Sequence, residues 1–153
     1  MAQPFPATRE DWELGARCLW GEARGEAWDG QVAVAWVIRN RAERPGWWGH
    51  TVSEVVLHPR QFSVFNESDP NRPKVLNVTS DDPTFRRCLG IFALVLSGDL
   101  SDPTNSATHY FTAAPPSSDM AWPPAWSMKM RQTARIGHHV FLRDYFPSER
   151  TQA

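Results

Sequence analysis

Along the first helix-sized stretch of the chain, apolar residues recur at helical spacing: Trp12, Ala16, Leu19, Trp20 and Ala23 form one stripe. Thr8 stands where an N-cap is needed, and Glu10 and Asp11 fill the first turn. The pattern predicts a helix that begins after Thr8 and stops at Gly25, with Glu22 on the flank of the stripe near the helix end. Over 31–41 the pattern becomes a continuous apolar run, Val32-Ala33-Val34-Ala35-Trp36-Val37-Ile38, which fits a buried strand or a buried helix. Asp29 as a cap and Arg39 and Arg41 at the far end select the helix. Thr51-Val52-Ser53-Glu54 reads as a capping box ahead of Val55-Val56-Leu57, closed by Pro59. Asp82-Pro83 starts a further helix, whose period runs through Phe85, Cys88, Leu89, Phe92, Val95 and Leu96 to Gly98. The polar, Pro-containing stretch 66–80 reads as a loop.

The C-terminal third changes character. Residues 107–112 and 139–142 read as short strands, and 113–130 between them as a long ordered loop rich in Pro, Trp and Met. Loops of that length within a domain are more often functional than not. Helices first and strands after predict an α+β fold, predominantly helical, with a small C-terminal antiparallel sheet. No repeat or linker divides the chain, so one domain over 1–153 is expected, with its core at about 8–146.

Hydrophobic residues make up 41% of the 153 and charged residues 22%, the balance of a folded rather than a disordered chain. A formal net charge of -1 argues against nucleic acid as partner. Of the 16 basic residues all but Lys74 and Lys129 are Arg. That suits a polymer bearing carboxylates, and the base composition of the source genome accounts for it equally well. Eight tryptophans are many for this length. Trp47 and Trp48 between glycines, and Trp122 and Trp126 among prolines, suit a surface that stacks on the apolar face of a sugar. Cys18 and Cys88 lie in apolar helical stretches and read as buried thiols. The N-terminal residues lack the basic and apolar regions of a signal peptide, and no apolar run has the length of a membrane span. The expectation is synthesis in the cytoplasm, with delivery to any outside substrate left to another agent.

The run Leu19-Trp20-Gly21-Glu22-Ala23-Arg24-Gly25-Glu26 carries the candidate chemistry. A carboxyl group against the Trp20 indole would be poorly solvated, keep its proton near neutrality and serve as a general acid, as cleavage of a sugar–sugar bond requires. The bland alternative is a solvated Glu at a helix end. Glu26, four residues on, would neighbour Glu22 on an unbroken helix, but Gly25 interrupts it. Glu26 therefore reads mainly as a residue that bonds backbone or caps the next helix, with catalysis as its minority role. Arg24 and Arg41 are candidates to orient carboxylates.

These residues also resemble a family. Gly21-Glu22-Ala23-Arg24-Gly25-Glu26, Gly30-Gln31-Val32-Ala33-Val34-Ala35, Asn40-Arg41, Gln61-Phe62-Ser63, Asp102-Pro103-Thr104, Ala107-Thr108-His109-Tyr110-Phe111, and Ile136-Gly137 with His139-Val140-Phe141 stand in the order of the SleB/CwlJ cell-wall hydrolases. The resemblance implies a lysozyme-like core related to lytic transglycosylases, acting on peptidoglycan glycan strands, with Glu22 as acid/base; no cofactor and no metal are expected. It lifts Asn40, Gln61, Ser63, Thr104, Tyr110 and Phe111 to candidate substrate contacts, and Trp20, close to Glu22 in the chain, joins them as a candidate by its residue type. Tyr110 and Phe111 alternate on a strand, so one faces the cleft. Two positions depart from the family's pattern: Ser106 where Gly is usual, and His138 where a smaller or amide residue is common.

The resemblance favours a lytic transglycosylase that cleaves the β-1,4 bond between N-acetylmuramic acid and N-acetylglucosamine and leaves a 1,6-anhydro sugar. A hydrolytic muramidase or glucosaminidase would need a second carboxylate, for which Glu26, Asp102 and Asp99 are candidates by type. A zinc amidase or peptidase could draw on His109, His138, His139 and Asp102, though the usual ligand spacing is absent. A non-catalytic glycan-binding module is the remaining class. A short wall hydrolase of this kind resembles a phage or prophage endolysin, a monomer released by a holin-type partner without direct contact.

Overall fold

Thr8 caps helix α1 (Arg9–Ala23): its hydroxyl accepts from the Asp11 amide, and the Asp11 carboxylate accepts from the Thr8 amide. This is a capping box with Asp in place of the usual Glu or Gln. The Asp11 carboxylate also accepts from the amide and hydroxyl of Ser53, tying the helix start to α3 (Val52–Leu57). The computed structural model describes residues 2–44, 46, 48–59 and 61–150; Trp47, one of the loop tryptophans, lies outside the described residues.

The apolar run is a helix, α2 (Trp28–Glu43), buried from Gly30 through Ala42. Its N-cap is Ala27, with no side-chain bond, and Asp29 lies in its first turn rather than capping it. Helix α5 (Pro83–Ser97) starts as expected, with Asp82 accepting from the Phe85 amide and Pro83 in the first turn. Helices α1, α2 and α5 pack on one another around Leu19, Val34, Ile38, Ile91 and Phe92, all fully buried. Each such side chain contributes roughly 1.5–3 kcal/mol on burial. At α3 only half of the expected capping box forms: Thr51 accepts from the Glu54 amide, while the Glu54 carboxylate turns to the His50 amide.

Two elements depart from the sequence expectation. The stretch read as a loop holds a short helix, α4 (Arg72–Asn77), and a 3-10 turn at Ser63–Phe65 precedes it. Helix α4 buries one apolar side chain, Val75, so no periodicity announced it. It is held from outside: the Arg17 guanidinium on α1 donates to the carbonyls of Val75 and Val78, which the helix end leaves unpaired. The second is a strand, β2 (Arg131–Ile136), between β1 (His109–Thr112) and β3 (His139–Arg143) in sequence. The sheet is antiparallel with order β1-β3-β2, and all five residues of β3, the central strand, are buried. β1 meets β3 with Tyr110 opposite Phe141, and β2 meets it with a bulge between Gln132 and Ala134. Helix α6 (Pro147–Arg150) follows the sheet. The architecture is α+β and predominantly helical, and the sheet brings β1 against the C-terminal end of α1.

Candidate active site

Glu22 occupies the last turn of α1, and Gly21 beside it explains how that turn is enclosed. A Cβ at Gly21 would stand 2.9 Å from a Val75 methyl and 3.1 Å from both Val64 methyls, so α4 and the 3-10 turn close on the helix only because the side chain is absent. The resulting enclosure pushes the Glu22 carboxyl up to about 7 through loss of solvation, with the negative charge of Asp69 adding to it. A hydrogen bond from Tyr110 and the positive charge of Arg41 oppose the rise without cancelling it. The Tyr110 hydroxyl donates to Glu22 Oε2 at 3.3 Å, joining β1 to α1 across 88 residues of sequence. Among the described residues no arginine pairs directly with Glu22, a contact that would have pulled its proton off. A carboxyl group in this state can give a proton near neutrality and take one back.

The indole suggested by sequence stands two residues before Glu22 on the same helix. Trp20 is 8% exposed, belongs to the core, and has the Arg24 guanidinium over its ring at 4.5 Å. Positions i and i+2 of a helix do not face each other. Trp20 is therefore corrected from a sugar contact to a core residue. The alternation of β1 resolves the next pair. Tyr110 turns to Glu22, His139 and Phe141, whereas Phe111 packs against Trp122 and Trp126 on the other face of the strand. Phe111 thus belongs to an aromatic layer away from the carboxyl group, with Trp126 44% exposed at its rim.

Asn40, Asp102 and Thr104 come together, but to brace a loop. Asn40 donates to Asp102 Oδ2 and to the Ala107 carbonyl. Asp102 Oδ1 accepts from the amide and hydroxyl of Thr104, and Oδ2 also accepts from the Ser106 amide. Four donors fill the roughly four lone-pair sites of a carboxylate. Asp102 has none left for a water molecule, and Asn40 and Thr104 are buried; the expected sugar contacts at these positions are corrected to structural ones. Asp99 is exposed and accepts from the Ser97 hydroxyl. Gln61 accepts from Arg41 at 2.9 Å, and Ser63 is exposed on the 3-10 turn that encloses Glu22.

Glu26 is likewise occupied. Its carboxylate accepts from the His138 amide and lies 2.8 Å from His138 Nδ1. His139 Nδ1 is 2.9 Å away but outside the hydrogen-bonding direction. Gly137, at φ +58, makes the turn between β2 and β3 that presents these groups, and a Cβ there would approach Glu26 Oε2 to 3.0 Å. The carboxylate thus ties the α1–α2 junction to the β2–β3 turn. His109 sits elsewhere, between the Trp48 and Trp126 rings, with burial pushing it down to about 4. Among the described residues no three His, Cys, Asp or Glu side chains are disposed to hold a metal ion. A cleft of about 660 Å³ opens beside His109, lined also by Arg44, Tyr145 and Phe146 and not by Glu22.

Comparison with known proteins decides the family. The sequence matches the Cell Wall Hydrolase family over residues 25–142. The chain belongs to that family. The match begins just past Glu22, so the role of that residue rests on its own geometry. A spore cortex-lytic enzyme of Halalkalibacterium halodurans is 36% identical over 138 residues, covering 90% of this chain and 36% of that protein. One from Bacillus subtilis is 31% identical over 138 residues, covering 90% of this chain and 39% of that protein. The chain thus spans well under half the length of these curated relatives. The catalytic domain of Bacillus cereus SleB superposes with a TM-score of 0.65 at 30% identity, covering 92% of this chain and 95% of that one. The catalytic domain of the germination-specific lytic transglycosylase SleB from Bacillus anthracis gives 0.66 at 28% identity, covering 92% and 99%. The lysozyme-like α+β architecture is therefore that of the SleB catalytic domains.

Within this cell wall hydrolase domain both departures from the family's pattern have a physical reading. Ser106 adopts φ +70, a conformation that glycine enters without strain. His138 is mostly exposed, and its ring adds a second contact to the Glu26 carboxylate that the backbone amide already holds.

Proposed function

We propose that this chain degrades peptidoglycan by cleaving the β-1,4 bond between N-acetylmuramic acid and N-acetylglucosamine, as a lytic transglycosylase with Glu22 as its single acid/base. The observation that carries the reading is the enclosed Glu22 carboxyl, held by Tyr110 and protonated near neutrality. Protonated Glu22 gives its proton to the bridging oxygen while the C1–O bond breaks and C1 becomes oxocarbenium-like. The substrate's own N-acetyl oxygen supports the positive charge. The Glu22 carboxylate then removes the proton of the C6 hydroxyl as that oxygen bonds to C1. The product is a 1,6-anhydro sugar, no water is consumed, and Glu22 ends as it began. Glu26 and Asp102, each with its oxygens engaged, support a scheme that uses one carboxyl group. So does the likeness to the Bacillus anthracis catalytic domain, which is that of a germination-specific lytic transglycosylase.

A hydrolytic outcome is the second reading, and Asp69 favours it, since its charge acts on Glu22 from the loop before α4. Mass spectrometry of fragments released from purified peptidoglycan separates the two. Anhydro-ended muropeptides support the transglycosylase. Reducing ends that disappear in Asp69→Asn support hydrolysis, and free stem peptides with intact glycan would overturn both.

A further inference from the structure

Among the described residues Arg41 is a buried cation with no carboxylate in contact, and its positive charge acts on Glu22. Three arginines are buried among the described residues, Arg39, Arg41 and Arg143. Two of them have the expected counter-ion: Arg39 pairs with Glu43 and Arg143 with Glu149. Arg41, two residues along α2 from Arg39, does not. Its Nε donates to the Thr108 carbonyl at 2.6 Å and its Nη1 to Gln61 Oε1 at 2.9 Å. Its guanidinium faces the Phe62 ring at 4.9 Å and the Trp48 ring at 5.7 Å. All of these partners are neutral, and among the described residues no carboxylate stands within ion-pair distance. A buried, unpaired charge is costly and persists where something else requires it. β1 and the residues leading into it join the two groups: Thr108 fixes Arg41, and Tyr110 holds Glu22.

We propose that Arg41 is the fixed counter-charge of the Glu22 carboxylate, a positioning residue that supports Glu22 in the interval after it gives its proton and before it regains one. The inference rests on Glu22 being the acid/base. A cation set at a distance, and not in contact, leaves Glu22 its proton in the resting enzyme yet stabilises the charge when it forms. Because it is already held by Thr108 and Gln61, it does so without reorganisation. Among the described residues the other titratable groups that interact with Glu22 are Cys18 on α1, Tyr110 on β1 and Asp69 in the loop before α4. Burial pushes the Cys18 thiol and the Tyr110 hydroxyl well up, so neither supplies charge near neutrality, and Asp69 opposes ionisation. That leaves Arg41 as the favourable charge among them.

The test follows Glu22 directly by carboxyl-carbon NMR, with its resonance assigned by its loss in Glu22→Gln, alongside the pH profile of kcat/KM. Arg41→Met removes the charge, and Gln61→Glu neutralises it in place with Arg41 retained. Both are expected to move the Glu22 midpoint and the alkaline limb of the profile upward by about half a pH unit or more, at least threefold in acid strength. Arg41→Lys, which keeps the charge, is expected to stay closer to wild type. An unchanged Glu22 midpoint in Gln61→Glu and in folded Arg41→Met, whatever the loss of rate, would overturn the proposal and leave Arg41 a packing residue. Should Arg41→Met fail to fold, Gln61→Glu carries the test alone. The NMR midpoint decides the proposal even if the wild type releases no sugar-ended product, an outcome that would count against the glycosidase reading.

Discussion

Glu22→Gln is expected to make the protein more stable, and only above mildly acid pH. The folded chain holds the Glu22 carboxyl at about 7 against an ordinary value of 4.5, because the enclosed site penalises the charged form. Below 4.5 both folded and unfolded chains keep the proton, and no penalty exists. Between 4.5 and 7 the unfolded chain releases its proton while the folded one retains it, so rising pH draws the equilibrium toward unfolding. Above 7 the penalty is complete, at about 3 kcal/mol from the two values. Residual exposure and local relaxation bring the expectation to roughly 1–3 kcal/mol. Glutamine keeps the size and can still accept from Tyr110, but carries no charge to bury. Urea denaturation followed by tryptophan fluorescence at pH 4, 6 and 8 gives the comparison. At roughly 1–3 kcal/mol per molar urea, the variant's midpoint is expected to lead the wild type's by about 1 M at pH 8 and to coincide with it at pH 4. A constant difference across that range would refute the reasoning, because it would show that Glu22 bears no pH-linked cost.

Three further outcomes follow. Glu26→Ala removes the acceptor for the His138 amide and opens a hole between the α1–α2 junction and the β2–β3 turn; calorimetry is expected to show a loss of about 2–4 kcal/mol, or roughly 4–16 °C in Tm, whereas Glu26→Gln keeps the anhydro product. Ser106→Gly relieves the positive φ of that residue and is expected to raise stability by about 0.5–1 kcal/mol in the same experiment, since the strain removed exceeds the flexibility given to the unfolded chain. Chelation of the purified protein is expected to leave its release of glycan fragments unchanged; a loss restored by zinc would revive the amidase reading.

The residues that wrote themselves plainly into the sequence are those whose role is local. Thr8, Asp82 and Pro83 mark helix starts by their own chemistry, and the periodicity of α5 needs no partner to be recognised. Glu22 stands out in the sequence as a carboxylate at a helix end between glycines, but its enclosure is built by Val64, Val75 and Tyr110, far along the chain. What sequence could not convey depends on partners far along the chain. β2 is an edge strand with four polar residues in six, and Ala134 and Ile136 alone give it too short an apolar pattern to announce its pairing with β3; Gly137 at the turn was a further sign. α4 is held by Arg17 from another helix. Asn40 and Thr104 have side chains suited equally to a sugar hydroxyl or to a loop carboxylate, and only the fold reveals that Asp102 takes them. Trp20 misled for a related reason, since adjacency in sequence does not make two side chains of a helix face each other.

The central claim, that one carboxyl group performs both proton transfers, is met most directly by comparing anhydro-muropeptide release from purified peptidoglycan by the wild type and by Glu22→Gln shown to be folded. The account predicts a loss of at least about 10²–10⁴-fold in the variant. Anhydro products released by Glu22→Gln within tenfold of the wild-type rate would contradict it.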